Sequence, residues 1–180
     1  CLAPIAMILD KVVGIESGFM TTIHSFTGDQ RTVDQTHSDL RRARTASSSL
    51  IPTSTGAAKA LSLVLPRLEG KLDGTAIRVP TPNVSLIDFT FVSKKKTSIE
   101  AINNAMVAAS KSSYLKNILT INNLPLVSID FNHNASSSIF DLTQTQVLNQ
   151  NFCRILSWYD NEWGFSNRMI DTLKDFKKLL

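Results

Sequence analysis

His24 is the residue of this sequence best suited to move a proton. It ends a run of β-branched and aromatic residues, 19–24, that predicts a β-strand, and it opens a polar loop over 25–30. Imidazole titrates close to neutral pH, which is the property that a general base needs. A structural role stays open on this pattern alone, because most lone histidines are structural. His37 and His133 lie in polar loop sequence and are weaker candidates.

An anion-binding pattern lies at residues 52–56, Pro-Thr-Ser-Thr-Gly, directly before a predicted helix over 57–65. The free backbone N–H groups of a helix N-terminus, together with the Thr55 hydroxyl and a permissive Gly56, can hold a phosphate. The alternative is an ordinary N-cap, in which a hydroxyl satisfies those N–H groups within the chain. The pattern is compatible with either role.

Arg78 places a charge inside an otherwise apolar predicted strand, 76–79. A buried guanidinium needs a carboxylate or a bound anion as its partner. Asp88, on the next predicted strand, offers a structural ion pair, so both partners stay open. A histidine, threonine–glycine loops and isolated arginines would together suit a small phosphorylated substrate, although their spacing does not show that they meet.

Regular elements must position these residues. Apolar spacing predicts helices and strands that are mixed along the chain, with a long irregular segment over 25–50. We expect helices at about 4–13, 57–65, 98–110 and 163–180, and strands at 19–24, 76–79, 84–92, 126–131 and 154–159. Because short polar turns join several of the strands, this order favours an α+β fold with a mixed, largely antiparallel sheet.

The composition fits one folded domain. Of the 180 residues, 43% are hydrophobic and 19% are charged, which supplies a core and excludes intrinsic disorder. No stretch approaches the roughly 20 apolar residues of a membrane span, and a net charge of +4 is too mild to predict a nucleic-acid partner. The histidines and cysteines lack the spacing of a metal site, and the glycines form neither a dinucleotide-binding motif nor a P-loop. We therefore expect no membrane, nucleic-acid or metal binding.

Longer strings resemble a known family. Five blocks closely resemble the catalytic, carboxy-terminal domain of glyceraldehyde-3-phosphate dehydrogenases: His-Ser-Phe-Thr-Gly-Asp-Gln (24–30), Leu-Arg-Arg-Ala-Arg (40–44), Ile-Pro-Thr-Ser-Thr-Gly-Ala-Ala-Lys (51–59), Ile-Arg-Val-Pro-Thr-Pro-Asn-Val-Ser (77–85) and Ser-Trp-Tyr-Asp-Asn-Glu-Trp-Gly-Phe-Ser-Asn-Arg (157–168). The resemblance implies helices packed on one face of the sheet. It also implies one catalytic domain over 1–180, with an S-shaped loop over about 26–50 and a C-terminal helix over about 164–180.

The resemblance also places the start of the chain within the family's pattern. Cys1 resembles the second, non-catalytic cysteine of the family's Ser-Cys-Thr-Thr-Asn-Cys string. We therefore expect the nucleophilic cysteine and the amino-terminal Rossmann half to lie upstream of this chain, and the isolated chain to be inactive.

The implied reaction is the NAD-dependent, phosphorylating oxidation of glyceraldehyde 3-phosphate to 1,3-bisphosphoglycerate in glycolysis. The resemblance implies a cytoplasmic homotetramer in which the 26–50 loop lines subunit contacts. Within that loop, Gln35 and Thr36 replace the Leu-Pro often found in the family near the adenosine ribose. NADP is therefore not excluded as the cofactor.

The resemblance further assigns site residues by position. His24 resembles the catalytic base. The remaining residues resemble three binding sites: Thr27, Asp29 and Arg78 for the substrate phosphate; Arg44, Thr55 and Gly56 for inorganic phosphate; and Asn161 and Phe165 for the nicotinamide of the cofactor, with Phe165 where the family commonly has tyrosine.

Two alternatives remain open. Erythrose-4-phosphate dehydrogenase is a sibling with the same chemistry, although the intact 26–30 and 52–59 strings favour the glyceraldehyde enzyme. The other alternative is a non-catalytic fragment that packs or binds without performing chemistry.

Overall fold

The computed structural model describes the backbone of residues 1–179, and all of their side chains apart from those at 58 and 59. Within these residues the helices are α1 (Leu2–Val12), α2 (Ala57–Val64), α3 (Ile99–Ser110) and α4 (Trp163–Lys177). The strands are β1 (Ile15–Ser25), β2 (Ile51–Ser54), β3 (Leu72–Val79), β4 (Ser85–Ser93), β5 (Leu119–Asn122), β6 (Ser138–Leu148) and β7 (Phe152–Tyr159). Two short 3₁₀ helices span Pro66–Leu68 and Ser128–Phe131.

The strands form one mixed sheet in the order β2-β3-β1-β4-β7-β6-β5. β1 pairs with β3, and β5 with β6, in parallel, whereas the other four neighbouring pairs are antiparallel. The predicted α+β fold with a mixed, largely antiparallel sheet is therefore confirmed. Residues 26–50 contain turns but neither helix nor strand, as the irregular sequence predicts.

The four predicted helices are confirmed, with small shifts at their ends. α1 follows its apolar spacing and buries Ile5 and Leu9. Gly14 ends it with φ of +70°, and its N–H bonds back to the carbonyls of Leu9 and Asp10. The predicted end of α4 at residue 180 lies outside the described residues.

One hydrophobic core joins these helices to the sheet. The alternating residues Phe89 and Phe91 of β4 point into it, and their rings stack 5.1 Å apart. α3 contributes Ile102 and Met106, which are fully buried in the same cluster. Because apolar residues alternate in β4 and recur at helical spacing in α3, each element buries one face.

The predicted strand over 126–131 is wrong, because this segment forms the 3₁₀ helix Ser128–Phe131. The carboxylate of Asp130 accepts the backbone N–H of Val127 at 2.9 Å, a local bond that competes with strand pairing. Three strands, β2, β5 and β6, were not predicted. Among the described residues, no helix is both long enough and apolar enough to cross a membrane.

Candidate active site

Several of the predicted site residues lie at one edge of the sheet, because several strands begin or end there. β1 and β3 run parallel, which places His24 directly opposite Arg78. β4 begins beside the end of β7, with Ser85 opposite Tyr159. Residues far apart in the sequence are therefore brought within hydrogen-bonding distance.

His24 is half-buried, and its ring packs edge-on against Tyr159 with 5.9 Å between the ring centroids. Its Nδ1 atom lies 2.7 Å from the carbonyl oxygen of Ser25 and 2.9 Å from Nη1 of Arg78. Burial lowers the pKa of His24; the hydrogen bond to Ser25 opposes this, and the positive charge of Arg78 lowers the pKa further. The neutral imidazole can take up a proton at Nε2 when Nδ1–H donates to Ser25.

The guanidinium of Arg78 lies among uncharged polar groups. Besides His24, Nη1 contacts the carbonyl oxygen of Ser25 at 3.1 Å and Oγ1 of Thr27 at 3.2 Å, and Nε is buried without a partner. The structural partner offered by the sequence, Asp88, is instead paired with Arg154 at 2.7 Å. In the described part of the chain Arg78 forms no ion pair, so its charge is available to an anion.

Thr27 and Asp29 lie beside this guanidinium. The hydroxyl of Thr27 donates to Asp29, and Arg42 pairs with the other oxygen of that carboxylate. The Thr27 bond, followed by the charge of Arg42, holds the pKa of Asp29 below its usual value against the effect of burial. The structure thus brings Thr27, Asp29 and Arg78 together. It adds Arg42, which lies in the 40–44 block but has no predicted role in the site.

A cavity of about 390 Å³ connects His24 with the start of α2, and Cys1, Thr55 and Tyr159 also line it. Thr55 Oγ1 accepts the N–H of Ala57 at 3.2 Å, so its hydroxyl does serve the helix start as the capping alternative predicts. Its position on the cavity wall leaves the anion role open.

Gly56 and Arg44 differ in how they relate to this cavity. Gly56 is the exposed N-cap residue of α2. Arg44 pairs with Asp34 at 2.9 Å in the 26–50 loop, and none of the contacts described for Arg44 is with Thr55 or Gly56. Among the described residues, no hydrogen bond or ion pair joins Arg44 to the start of α2.

A second cavity of about 370 Å³ also borders His24, and Cys1, Asn161 and Phe165 line it as well. Oδ1 of Asn161 accepts hydrogen bonds from Ser25 Oγ at 2.8 Å and Ser85 Oγ at 3.0 Å. Phe165 presents a largely exposed ring from the first turn of α4. An amide and an aromatic face thus share one cavity with the histidine.

Sequence reasoning missed two residues that build this edge. Tyr159 lines both cavities, and its hydroxyl bonds to Thr22 at 2.9 Å. Asp160 is buried and accepts four hydrogen bonds, among them the N–H groups of Glu162 and Trp163 at the start of α4. Both lie in the 157–168 block, which was the available signal. Three of their partners, Thr22, Asn83 and His133, are distant in sequence.

The sheet edge, the neutral histidine, the unpaired arginine and the two cavities are typical of a catalytic domain that handles a small anionic molecule. Residues 1–161 match the family model described as the C-terminal domain of glyceraldehyde 3-phosphate dehydrogenase. The chain belongs to this family.

Relatives extend the match along the whole chain. It is 64% identical over 179 residues to glyceraldehyde-3-phosphate dehydrogenase of Xanthobacter flavus, covering 99% of this chain and 53% of the relative. It is 56% identical over 180 residues to the protein of that name from Zymomonas mobilis, covering 100% and 53%. It is 50% identical over 174 residues to glyceraldehyde-3-phosphate dehydrogenase 2 of Bacillus subtilis, covering 97% and 51%. The chain thus spans about half the length of these relatives.

Proposed function

We propose that the full-length protein carrying this chain oxidises glyceraldehyde 3-phosphate to 1,3-bisphosphoglycerate with NAD and inorganic phosphate. The observation that carries this proposal is the contact of Arg78 with both His24 and Thr27. This contact places the base His24, which serves the aldehyde carbon, beside the cation Arg78, which serves the phosphate. The substrate carries that phosphate on a different carbon. The names of the relatives support this substrate.

His24 acts as the base. Its Nε2 takes the proton of a cysteine thiol of the full-length protein, the nucleophile that the family resemblance implies. The thiolate forms a bond to the aldehyde carbon, and His24 returns the proton to the carbonyl oxygen. It takes that proton again as a hydride leaves the carbon and the thioester forms. Inorganic phosphate then displaces the thiol and gives the acyl phosphate.

Arg78, Thr27 and Asp29 hold the substrate phosphate. The guanidinium of Arg78 supplies charge and Thr27 supplies a hydroxyl, whereas Asp29 acts by holding Thr27 and Arg42 in place. Thr55 and Gly56 at the start of α2 receive the attacking inorganic phosphate. Arg44 joins this second site only if it leaves its exposed ion pair with Asp34.

NAD fits the second cavity through its nicotinamide end. The cavity offers an aromatic face, Phe165, and a side-chain amide, Asn161, whose oxygen is already occupied by two hydroxyls. When bound, NAD supplies the acceptor for the hydride. NAD is the proposed cofactor, and NADP, which the replacement by Gln35 and Thr36 near the adenosine ribose leaves open, is the alternative.

We also propose that the protein is a cytoplasmic homotetramer in which the 26–50 loop lies at subunit contacts. Light scattering of the full-length protein tests the assembly, and a mass of four subunits is expected. A monomer would contradict the proposal.

Formation of NADH by the full-length protein tests the reaction. Turnover is expected to require glyceraldehyde 3-phosphate, NAD and inorganic phosphate together, because phosphate must release the thioester. Turnover without phosphate would contradict the phosphorylating reaction, and faster turnover of erythrose 4-phosphate would favour the sibling enzyme. The isolated 180-residue chain is expected to give no turnover.

A further inference from the structure

We propose that Ser25 and Ser85 are positioning residues that hold the Asn161 amide in one orientation, with its NH₂ group toward the nicotinamide cavity. This inference rests on the proposed function, which makes Asn161 a contact of the nicotinamide.

Two hydroxyls converge on a single atom of Asn161. Ser25 Oγ lies 2.8 Å, and Ser85 Oγ 3.0 Å, from Oδ1. Both serines are essentially fully buried, with 0% and 1% of their surface exposed. An amide oxygen has two lone pairs, so these two donors satisfy it completely. The NH₂ group, whose contact is a long one of 3.4 Å to Glu162, remains for a ligand.

A backbone donor occupies one of the two lone pairs of Ser85 Oγ. The N–H of Ser25 donates to Oγ of Ser85 at 3.0 Å, and a backbone N–H cannot act as an acceptor. Ser85 Oγ therefore already accepts one bond, and its own hydrogen is available for Asn161. Rotating the amide by half a turn would remove Oδ1, the acceptor of both hydroxyl hydrogens, from the two buried serines.

Three neighbouring strands position these residues. Ser25 ends β1, Ser85 begins β4 and Asn161 follows β7, and these three strands are neighbours in the sheet. Val84, directly before Ser85, has φ of +68°, which is a costly conformation for a β-branched residue. Its buried side chain packs with Phe131 and Ile139, and this packing holds the turn that delivers Ser85.

Equilibrium binding of NAD to the full-length protein tests the positioning role. Ser25→Ala and Ser85→Ala are each expected to raise the Kd for NAD, measured by calorimetry without aldehyde, about 3- to 10-fold, since each removes one hydrogen bond. The KM for glyceraldehyde 3-phosphate should not change. Ser93→Ala is the matched control, because Ser93 is equally buried at the other end of β4 and bonds to Lys95.

A double-mutant cycle separates positioning from a general structural effect. In a protein that already carries Asn161→Ala, adding Ser85→Ala should not raise the Kd for NAD any further, because the serine acts through the Asn161 amide. Additive effects would overturn the proposal.

An NAD analogue tests the orientation without any substitution in the protein. In 3-acetylpyridine adenine dinucleotide a methyl group replaces the carboxamide NH₂ and the carbonyl remains. If Asn161 presents NH₂ to that carbonyl, the wild-type protein should bind the analogue within about threefold of NAD. Binding weakened more than about tenfold would show the opposite orientation and overturn the proposal.

The outcomes distinguish this proposal from the proposed function. A wild-type protein that oxidises the aldehyde, with serine variants that bind NAD normally, would refute the positioning alone. A wild-type protein that neither binds NAD nor oxidises the aldehyde would refute both.

Discussion

Nη1 of Arg78 lies 2.9 Å from Nδ1 of His24, across the parallel pair of β1 and β3. A cation in contact with an imidazole disfavours its protonation, so Arg78 adds to the effect of burial, which is the larger cause of the lowered pKa of His24. The same guanidinium reaches Thr27. The group proposed to bind the substrate's phosphate therefore also helps to keep the proposed base neutral.

His24→Asn in the full-length protein is expected to lower kcat about 10²- to 10⁴-fold, because the amide cannot take up the thiol proton. Steady-state NADH formation measures the effect. His37→Asn is the control. Nδ1 of His37 accepts the N–H of Asp39 at 2.9 Å, and the side-chain oxygen of an asparagine can accept the same N–H. A His24→Asn protein with near-wild-type kcat would exclude the proposed role of the base.

Arg78→Leu is expected to raise the KM for glyceraldehyde 3-phosphate at least tenfold, because a charge-assisted contact with the phosphate is lost. The KM for unphosphorylated glyceraldehyde should change little. Arg67→Leu, at an exposed position of the 3₁₀ helix Pro66–Leu68, serves as the control. Equal effects of Arg78→Leu on both aldehydes would contradict the assignment of the phosphate site.

The pH dependence of kcat/KM is expected to report the lowered pKa of His24. Activity should fall as the pH drops through a value below the usual 6.5, because protonation removes the base. Removing the positive charge in Arg78→Leu should move this acidic limb to higher pH. A shift to lower pH would contradict the contact between Arg78 and His24.

Asp160→Asn is expected to destabilise the protein by about 1–3 kcal/mol, because an amide cannot accept all four hydrogen bonds made to this buried carboxylate. Urea denaturation measures the loss.

Burial would raise the pKa of Asp160, but its hydrogen bonds outweigh burial and lower it. The carboxylate therefore stabilises the fold above its unfolded pKa near 3.8. That contribution is lost as the pH falls through the lower folded value.

The control for this prediction is Asp175→Asn, an exposed residue of α4 paired with Lys178. Its urea midpoint should match that of the wild type. An equal loss in both variants would show that the buried hydrogen bonds of Asp160 are not the cause.

Gly74→Ala is expected to destabilise the protein by about 1–3 kcal/mol, because an added Cβ would lie 2.7 Å from the backbone oxygen of Met20 on the adjacent strand. Gly28→Ala is the matched control, since its Cβ would meet no atom within 4 Å. Comparing the two urea midpoints checks the close approach of β1 and β3. Equal midpoints would contradict it.

Local patterns in the sequence were sufficient for much of the fold. The spacing of apolar residues predicts α1 and α3, and alternation predicts β4, because each pattern reports which face of one element is buried. The same reasoning fails over 126–131, where the hydrogen bond that the N–H of Val127 donates to the carboxylate of Asp130 favours a 3₁₀ turn.

Candidate residues of the site were also visible in the sequence, since His24 follows a predicted strand and Thr55 precedes a predicted helix. The sequence and the resemblance together named the polar groups at this edge. Neither contained information on which of these groups would contact one another.

Only the tertiary structure decided the partners. Arg78 contacts His24 rather than Asp88 because β1 and β3 pair in parallel in one particular register, and that register depends on the packing of the whole sheet. Ser25, Ser85 and Asn161 meet for the same reason, since three strand ends are aligned by long-range pairing. Local sequence determines which residues are available within each element, whereas the free energy of burying the shared core determines which of them touch.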